Sequence, residues 1–369
     1  MNQARFKKII SGQSPGSAAA ALRFLLKVPA VFYGMGVALR NWLFDKGPAK
    51  SYAVTFAGLK TTDRTQATVP VISVGNITVG GTGKTPMVIW LSNFLREKNI
   101  NCAILTRGYK AAKGGHSDEP AMLIKNCPGT AVVVNPDRLA GALEAVKRHR
   151  AQVLIIDDGF QHRRLHRDID IVTIDATLPF GYNRVLPAGL LREPVSSLKR
   201  AHAAILTRCD SVSKDDLTKL TETIGRINPK LVVAQTIHAP VCVRTNDKDE
   251  IPLAKLKGKK VFAFCGIANP DAFLSTISRL KANLAGSKIY DDHHEYTARD
   301  FSEICREAAQ SGAEMILTTE KDYNKITRFS DNKGGLVLAY LAVRVQFLSG
   351  QEQITQLIER SLAGKIFRK

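Results

Sequence analysis

The residues best suited to chemistry lie in VISVGNITVGGTGKTP, residues 71–86, where an apolar run passes into a glycine-rich loop ending in Gly-Lys-Thr. Strand, glycine loop and helix in that order form the context of a phosphate-binding loop. Gly80, Gly81 and Gly83 place no Cβ in the way of backbone N–H groups converging on phosphate oxygens. The helix that follows adds the partial positive charge of its N-terminus. The nucleotide-binding stretch predicted on these grounds is Thr78, Val79, Gly80, Gly81, Thr82, Gly83, Lys84 and Thr85. Within it Lys84 is expected to reach the β- and γ-phosphates of a nucleotide, and the Thr85 hydroxyl to hold Mg2+. Thr78 stands where the general pattern GxxxxGK[ST] has glycine.

Phosphoryl transfer also needs an acid at the end of another buried strand to organise the metal. VLIIDDGFQHRR (153–164) supplies Asp157 and Asp158 after four apolar residues. Two further segments suit an acceptor. GHSDEP (115–120) places Asp118 and Glu119 in a polar loop, and YDDHHEYT (290–297) places Asp292, His293 and His294 just after a strand. Transfer to an alcohol uses a carboxylate that takes the hydroxyl proton, oriented by an imidazole. Taken singly, these residues read equally as a solvated acidic loop and a surface histidine pair. PAGLLREP (187–194) sets Arg192 and Glu193 between prolines. The arginine suits bidentate phosphate contact or a loop salt bridge.

The elements that must position these groups follow from the hydrophobic pattern. Apolar runs at 69–75, 101–108, 131–137, 153–159, 170–176 and 203–209 read as buried strands, with amphipathic helices at 84–98 and 138–150. A second set comprises strands at 261–267, 287–293, 314–322 and 336–343 and helices near 270–282 and 298–311. Continuous apolar strands separated by helices predict parallel sheets covered on both faces, the doubly wound α/β class. Two α/β/α lobes with mainly parallel sheets are expected, the N-terminal one of P-loop NTPase fold. The expected boundaries are a basic amphipathic segment at 1–50, a P-loop domain at 51–235, a linker or hairpin at 236–257 and a smaller α/β domain at 258–369.

Charge narrows the partners. The 369 residues carry 53 Lys+Arg and 33 Asp+Glu, a formal net charge of +20, which favours an anionic partner. Nucleic acid, an anionic membrane surface and an anionic substrate all fit that balance. Residues 1–44 contain no acid but include Arg5, Lys7, Lys8, Arg23, Lys27 and Arg40. The apolar stretch 19–44 is interrupted by Arg23, Lys27 and Pro29, which predicts an interfacial helix and argues against a spanning one. The six scattered cysteines form neither a zinc pattern nor a disulfide framework, and a reducing compartment suits them. ILTRCD (205–210) resembles the [NT]KxD guanine-reading element, with Arg208 in place of lysine and Asp210 as the acid. It is the one feature that favours a GTPase or ATPase switch with a basic membrane- or nucleic-acid-binding surface.

Taken in order, VGNITVGGTGKTP, SDEP, NPDR (135–138), IIDDGFQHRRL (155–165), PAGLLREP, DHH and TTEKD (318–322) resemble the tetraacyldisaccharide 4′-kinases, the LpxK family. The resemblance covers nearly the whole chain. It implies a membrane-associated P-loop kinase at the cytoplasmic face of the bacterial inner membrane. Such an enzyme moves the γ-phosphate of ATP, with Mg2+, to the 4′-hydroxyl of tetraacyldisaccharide 1-phosphate, giving lipid IVA in lipid A biosynthesis. Its partners are then the lipid and an anionic membrane, not nucleic acid. By the same resemblance Asp118 matches the catalytic base and His293 the histidine supporting it across the cleft, with His294 an alternative. Asp157 and Asp158 match the acids around Mg2+, and Glu119, Arg138, Arg192 and Glu193 match residues of the active-site cleft. Glu320 and Lys321 extend the family's nucleotide contacts.

Overall fold

The computed structural model describes residues 3–48, 51–55, 58–61, 69–108, 118–245, 249–292, 294–329, 336–363 and 365. The chain divides into two compact units, one of residues 3–237 and 345–369, the other of residues 238–344.

The first unit opens with helices α1 (Gln3–Ile10) and α2 (Ser17–Asp45) and a hairpin of β1 (Tyr52–Thr55) with β2 (Gly58–Thr61). There follow β3 (Val71–Gly75), α3 (Lys84–Glu97), β4 (Cys102–Thr106), α4 (Asp118–Asn126), β5 (Ala131–Val134), α5 (Arg138–His149), β6 (Val153–Asp157), β7 (Ile169–Asp175), β8 (Ala203–Thr207), α6 (Lys214–Ile227) and the start of β9 (Val232–Arg244). The strands pair in parallel in the order β9-β8-β7-β3-β6-β4-β5. β3, β4, β6 and β8 are buried along their whole length, as apolar runs covered on both faces require. In such sheets ligands bind outside the carboxyl ends of the strands. Here the ends of β3 and β6 lie side by side, with Val74 and Asp157 as register partners.

Local chemistry explains the helix starts. The Asp137 side chain accepts from the amides of Leu139 and Ala140 and so caps α5. α3 begins instead at Gly83, whose left-handed φ of 86° suits glycine, and no side chain caps it. Its first amides are therefore left for an anion.

The second unit continues β9 and adds β10 (Glu250–Ile251), β11 (Lys260–Cys265), α7 (Pro270–Arg279), β12 (Asn283–Ile289), α8 (Ala298–Gln310), β13 (Met315–Thr319), α9 (Glu320–Ile326) and β14 (Val337–Ser349). Its sheet runs β12-β11-β13-β14-β9, with β10 antiparallel to β9. The strand expected at 287–293 lies at 283–289, and Asp292 falls in a turn after it. The segment expected as a strand to 322 becomes helix at Glu320, because the Thr319 side chain accepts from the Asp322 amide and caps α9.

The segment 236–257, expected as a linker or hairpin, holds a hairpin in which β10 pairs antiparallel with the end of β9, and the 13-residue strand β9 passes from one unit to the other. One boundary differs from expectation: the C-terminus does not belong to the second lobe. The final helix α10 (Gln351–Ala363) places Ile354, Ile358 and Leu362 in the same buried cluster as Leu91 and Leu95 of α3. Its amphipathic face is satisfied only there, and Trp90 of α3 packs on Phe347 with ring centres 4.9 Å apart.

Helix α2 runs 29 residues and contains Pro29, which interrupts the apolar stretch in sequence but does not end the helix. At about 1.5 Å per residue it is long enough to cross a membrane, and its hydropathy also suffices. Phe24, Leu25, Val28, Val31, Phe32, Met35, Leu39 and Trp42 are all exposed. At 100° per residue they fall within about 120° of one another. The buried Ala30 and Val37 lie on the opposite side. The helix is therefore held to the protein along one face and bare and apolar along the other.

Candidate active site

The loop between β3 and α3 is braced from several directions. Thr82, expected to meet nucleotide, has a buried side chain that accepts from Asn76 Nδ2 at 3.1 Å and meets the Thr173 hydroxyl at 2.7 Å. The Thr207 hydroxyl donates to the Thr82 carbonyl at 3.0 Å. Arg208 donates to the Gly81 carbonyl at 2.8 Å and pairs with Asp175. The segment that resembled a guanine-reading element thus supplies a bracket under the loop. Thr78 is buried and pairs with Leu191, Val79 N–H donates to the Leu190 carbonyl at 2.8 Å, and Arg192 N–H donates to the Ile77 carbonyl at 2.7 Å. The PAGLLREP segment is consequently a strand-like backing for the phosphate loop.

At the open side stand Lys84, Asp158 and Arg192. Arg192 donates to both Asp158 oxygens at 2.7 and 3.0 Å and to Asn76 Oδ1 at 3.2 Å, and Lys84 Nζ lies 3.7 Å from Asp158. Burial raises the Asp158 carboxyl, but Lys84 and Arg192 outweigh it and hold it below the usual carboxylate range. Asp157 is buried at the end of β6. Thr85, Asp157 and Asp158, the residues expected around magnesium, offer one hydroxyl and two carboxylates, the hard oxygen donors that ion takes. Magnesium needs no more from a protein, since phosphates and water complete its shell. Among the described residues there is no cluster of three or more His, Cys, Asp or Glu that could hold a metal without such help.

Two residues expected in the cleft are structural. Arg138 is 2% exposed. Its guanidinium donates to the Asn135 carbonyl at 3.0 Å and the Asp157 carbonyl at 3.2 Å, so it ties the turn before α5 to the end of β6. Burial lowers its pKa to about 10 against the pull of Asp157. Glu193 is fully buried and pairs with Arg40 and Arg200, each at 2.8 Å, while Asn41 Nδ2 donates to it at 3.1 Å. A carboxylate with all its lone pairs so engaged faces no substrate. Its burial raises the carboxyl, and Arg200 and Arg40 more than reverse that.

Asp118 and Glu119 open helix α4, where a polar loop was expected, and their side chains lie outside the described residues. His293 also lies outside them. His294, the alternative, stacks on Tyr290 with centres 4.5 Å apart and lies 3.3 Å from Asp300. Lys321 pairs with Asp292 at 3.3 Å and so holds the turn at Asp292.

Asn76, Thr173, Thr207 and Arg200 escaped the sequence reading, because a bracing role has no motif. His162 escaped too, although it follows the acid pair. Burial lowers its pKa to about 4, helped by Arg138, Arg107 and Arg167, so the ring stays neutral beside a cationic site. Between α2 and the backing segment lies a cavity of about 570 Å3, lined mainly by apolar groups such as Val31, Leu191 and Val195, with Lys27 and Arg184 at its wall.

Comparison with known proteins bears on the chain as a whole. The family model of the LpxK tetraacyldisaccharide-1-P 4′-kinases matches residues 22–363. A tetraacyldisaccharide 4′-kinase of Halothermothrix orenii is 32% identical over 368 residues, covering 91% of this chain and 92% of its own. That of Desulfotalea psychrophila is 37% identical over 279 residues, covering 71% and 80%. The crystal structure of LpxK from Aquifex aeolicus in complex with ATP superposes with a TM-score of 0.68 at 29% identity, covering 92% of this chain and 99% of its own. A P-loop fold matched along its length and a family model spanning both units lead to one conclusion: the chain belongs to the LpxK family of tetraacyldisaccharide 4′-kinases and is an ATP-binding kinase of lipid A biosynthesis.

Proposed function

We propose that the protein transfers the γ-phosphate of ATP to the 4′-hydroxyl of tetraacyldisaccharide 1-phosphate, yielding lipid IVA, at the cytoplasmic face of the inner membrane. The observation that carries this reading is that one segment, residues 190–193, is bonded both to the phosphate loop and to the bare apolar helix α2. On this reading a donor site and a lipid-facing element share the same backbone.

The triphosphate lies on residues 80–85, where the amides at the start of α3 and the Lys84 ammonium meet its charge. Thr85, Asp157 and Asp158 would hold Mg2+, which when bound neutralises charge on the β- and γ-oxygens. The Asp158 and Asn76 bonds of Arg192 support its meeting phosphate oxygens. Asp118 takes the proton from the 4′-hydroxyl, supported by His293, as the hydroxyl oxygen bonds to the γ-phosphorus. The bond to the β–γ bridging oxygen breaks and ADP leaves. Glu119 lies next to that base and bears on the same acceptor. The acyl chains stay with the bilayer against α2, and the cavity beside Val31 and Leu191 suits an acyl segment. Arg and Lys around these surfaces favour the lipid's phosphate and an anionic membrane over nucleic acid.

Mass spectrometry after incubation with ATP and tetraacyldisaccharide 1-phosphate tests the reading. The lipid should gain the mass of one HPO3 at the 4′ position. Release of ADP with unmodified lipid would overturn it.

A further inference from the structure

The contacts of α2 with the backing segment are unlike those of a simple anchor. Its apolar stripe faces outward, and its opposite face carries polar groups that converge on two residues. Tyr33 Oη donates to the Arg192 carbonyl at 2.9 Å, Arg40 pairs with Glu193 at 2.8 Å, and Asn41 Nδ2 donates to Glu193 at 3.1 Å. Glu193 is also clamped by Arg200, whose guanidinium carbon lies 3.7 Å from the centre of the Phe160 ring. Phe160 follows the acid pair by two residues and packs against Gly75, where an added Cβ would come within 2.6 Å of it. Arg163 extends the fastening, donating to the Asn41 carbonyl at 3.2 Å and pairing with Asp45 at 2.5 Å. The next residue along from the clamped glutamate is Arg192, which holds Asp158 and Asn76.

From this arrangement we infer that Arg40 and Glu193 are positioning residues which couple the seating of α2 on a bilayer to the placement of Arg192 on the phosphate site. The inference rests on the reading of α2 as a lipid-facing element. A helix held on a surface restricts residues 192–193, so less ordering is left for nucleotide binding to supply. The coupling is reciprocal. Whatever factor the bilayer adds to nucleotide affinity, nucleotide adds to bilayer affinity.

The test measures affinity for the fluorescent probe mant-ATP with Mg2+, with and without saturating vesicles of equal parts phosphatidylglycerol and phosphatidylcholine. Vesicles should tighten binding by roughly fivefold or more in the wild type, the lower end of typical site-to-site couplings. Arg40→Gln should keep the vesicle-free affinity and still sediment with vesicles, but lose the vesicle effect. Arg40→Lys should restore it. Glu193→Gln should behave as Arg40→Gln does, with the melting temperature checked because that carboxylate is buried between two arginines. In a mixed-micelle transfer assay Arg40→Gln should lower kcat roughly tenfold while the lipid KM stays put, whereas a plain anchor would raise KM. The inference fails if vesicles leave wild-type nucleotide affinity unchanged, if Arg40→Gln responds like the wild type, or if Arg40→Gln no longer sediments with vesicles. A vesicle effect without phosphorylated lipid would keep the coupling and overturn only the acceptor assignment.

Discussion

A carboxylate held by two cations behaves differently from one that must pick up a proton, and both are assigned within one unit of this protein. Asp158 is kept charged by Lys84 and Arg192, whereas Asp118 is assigned the proton of the acceptor hydroxyl. Asp118→Asn should therefore lower kcat for lipid phosphorylation about 10²–10⁴-fold while mant-ATP binding persists. Near-normal turnover would remove Asp118 from its role. His162 makes a prediction of the opposite kind. Its folded pKa of about 4 lies below the ordinary 6.5, so between those values the unfolded chain takes up a proton that the fold refuses. Stability is complete above about pH 6.5 and declines as pH falls toward 4. Urea midpoints across that range should fall in the wild type, and the decline should be shallower in His162→Asn. The acid pair and the lysine were legible as residues because their chemistry has a spacing. The burial of Arg138 and Glu193 was not, since a charged residue reads the same in sequence whether it faces a substrate or is closed off by partners of its own chain.

Elements carry the site through their ends. The phosphate loop is set by two glycines of positive φ, Gly80 at 115° and Gly83 at 86°, and a Cβ at either would be strained. Gly83→Ala should cost about 1–2 kcal/mol and weaken mant-ATP binding more than it lowers the melting temperature. The strand and helix pattern of the first unit followed from apolar runs, because fully buried parallel strands leave no ambiguity of face. Helix α10 did not, because a C-terminal amphipathic helix shows its buried stripe without saying which core receives it. Its Ile354, Ile358 and Leu362 fill the core under α3. Ile358→Ala should therefore destabilise the first unit by about 2–5 kcal/mol, measured by urea denaturation. An unchanged midpoint would place α10 elsewhere.

At the scale of the whole molecule, the proposed function has the net charge of +20 and the bare face of α2 act on the same anionic bilayer. Phe24 and Phe32 are 67% and 68% exposed, so replacing both with serine should leave the fold intact. Each phenylalanine buried in a bilayer contributes roughly 1.5–3 kcal/mol, and the double variant should bind anionic vesicles about a hundredfold or more weaker in a sedimentation assay. Raising the salt should weaken the wild type in the same assay, because the Lys and Arg share of the attraction is screened. By itself the sequence determined the fold class, the phosphate loop, the acid pair and an acid-free apolar start, since each is a local pattern whose spacing is its cause. Only the tertiary structure decided that Arg208 braces the loop, that Arg138 and Glu193 are buried struts, and that α10 closes the first core. The physical reason is that these roles are pairings between residues far apart in the chain. Burial, which decides whether a charge serves a substrate or a partner, exists only after the chain has folded.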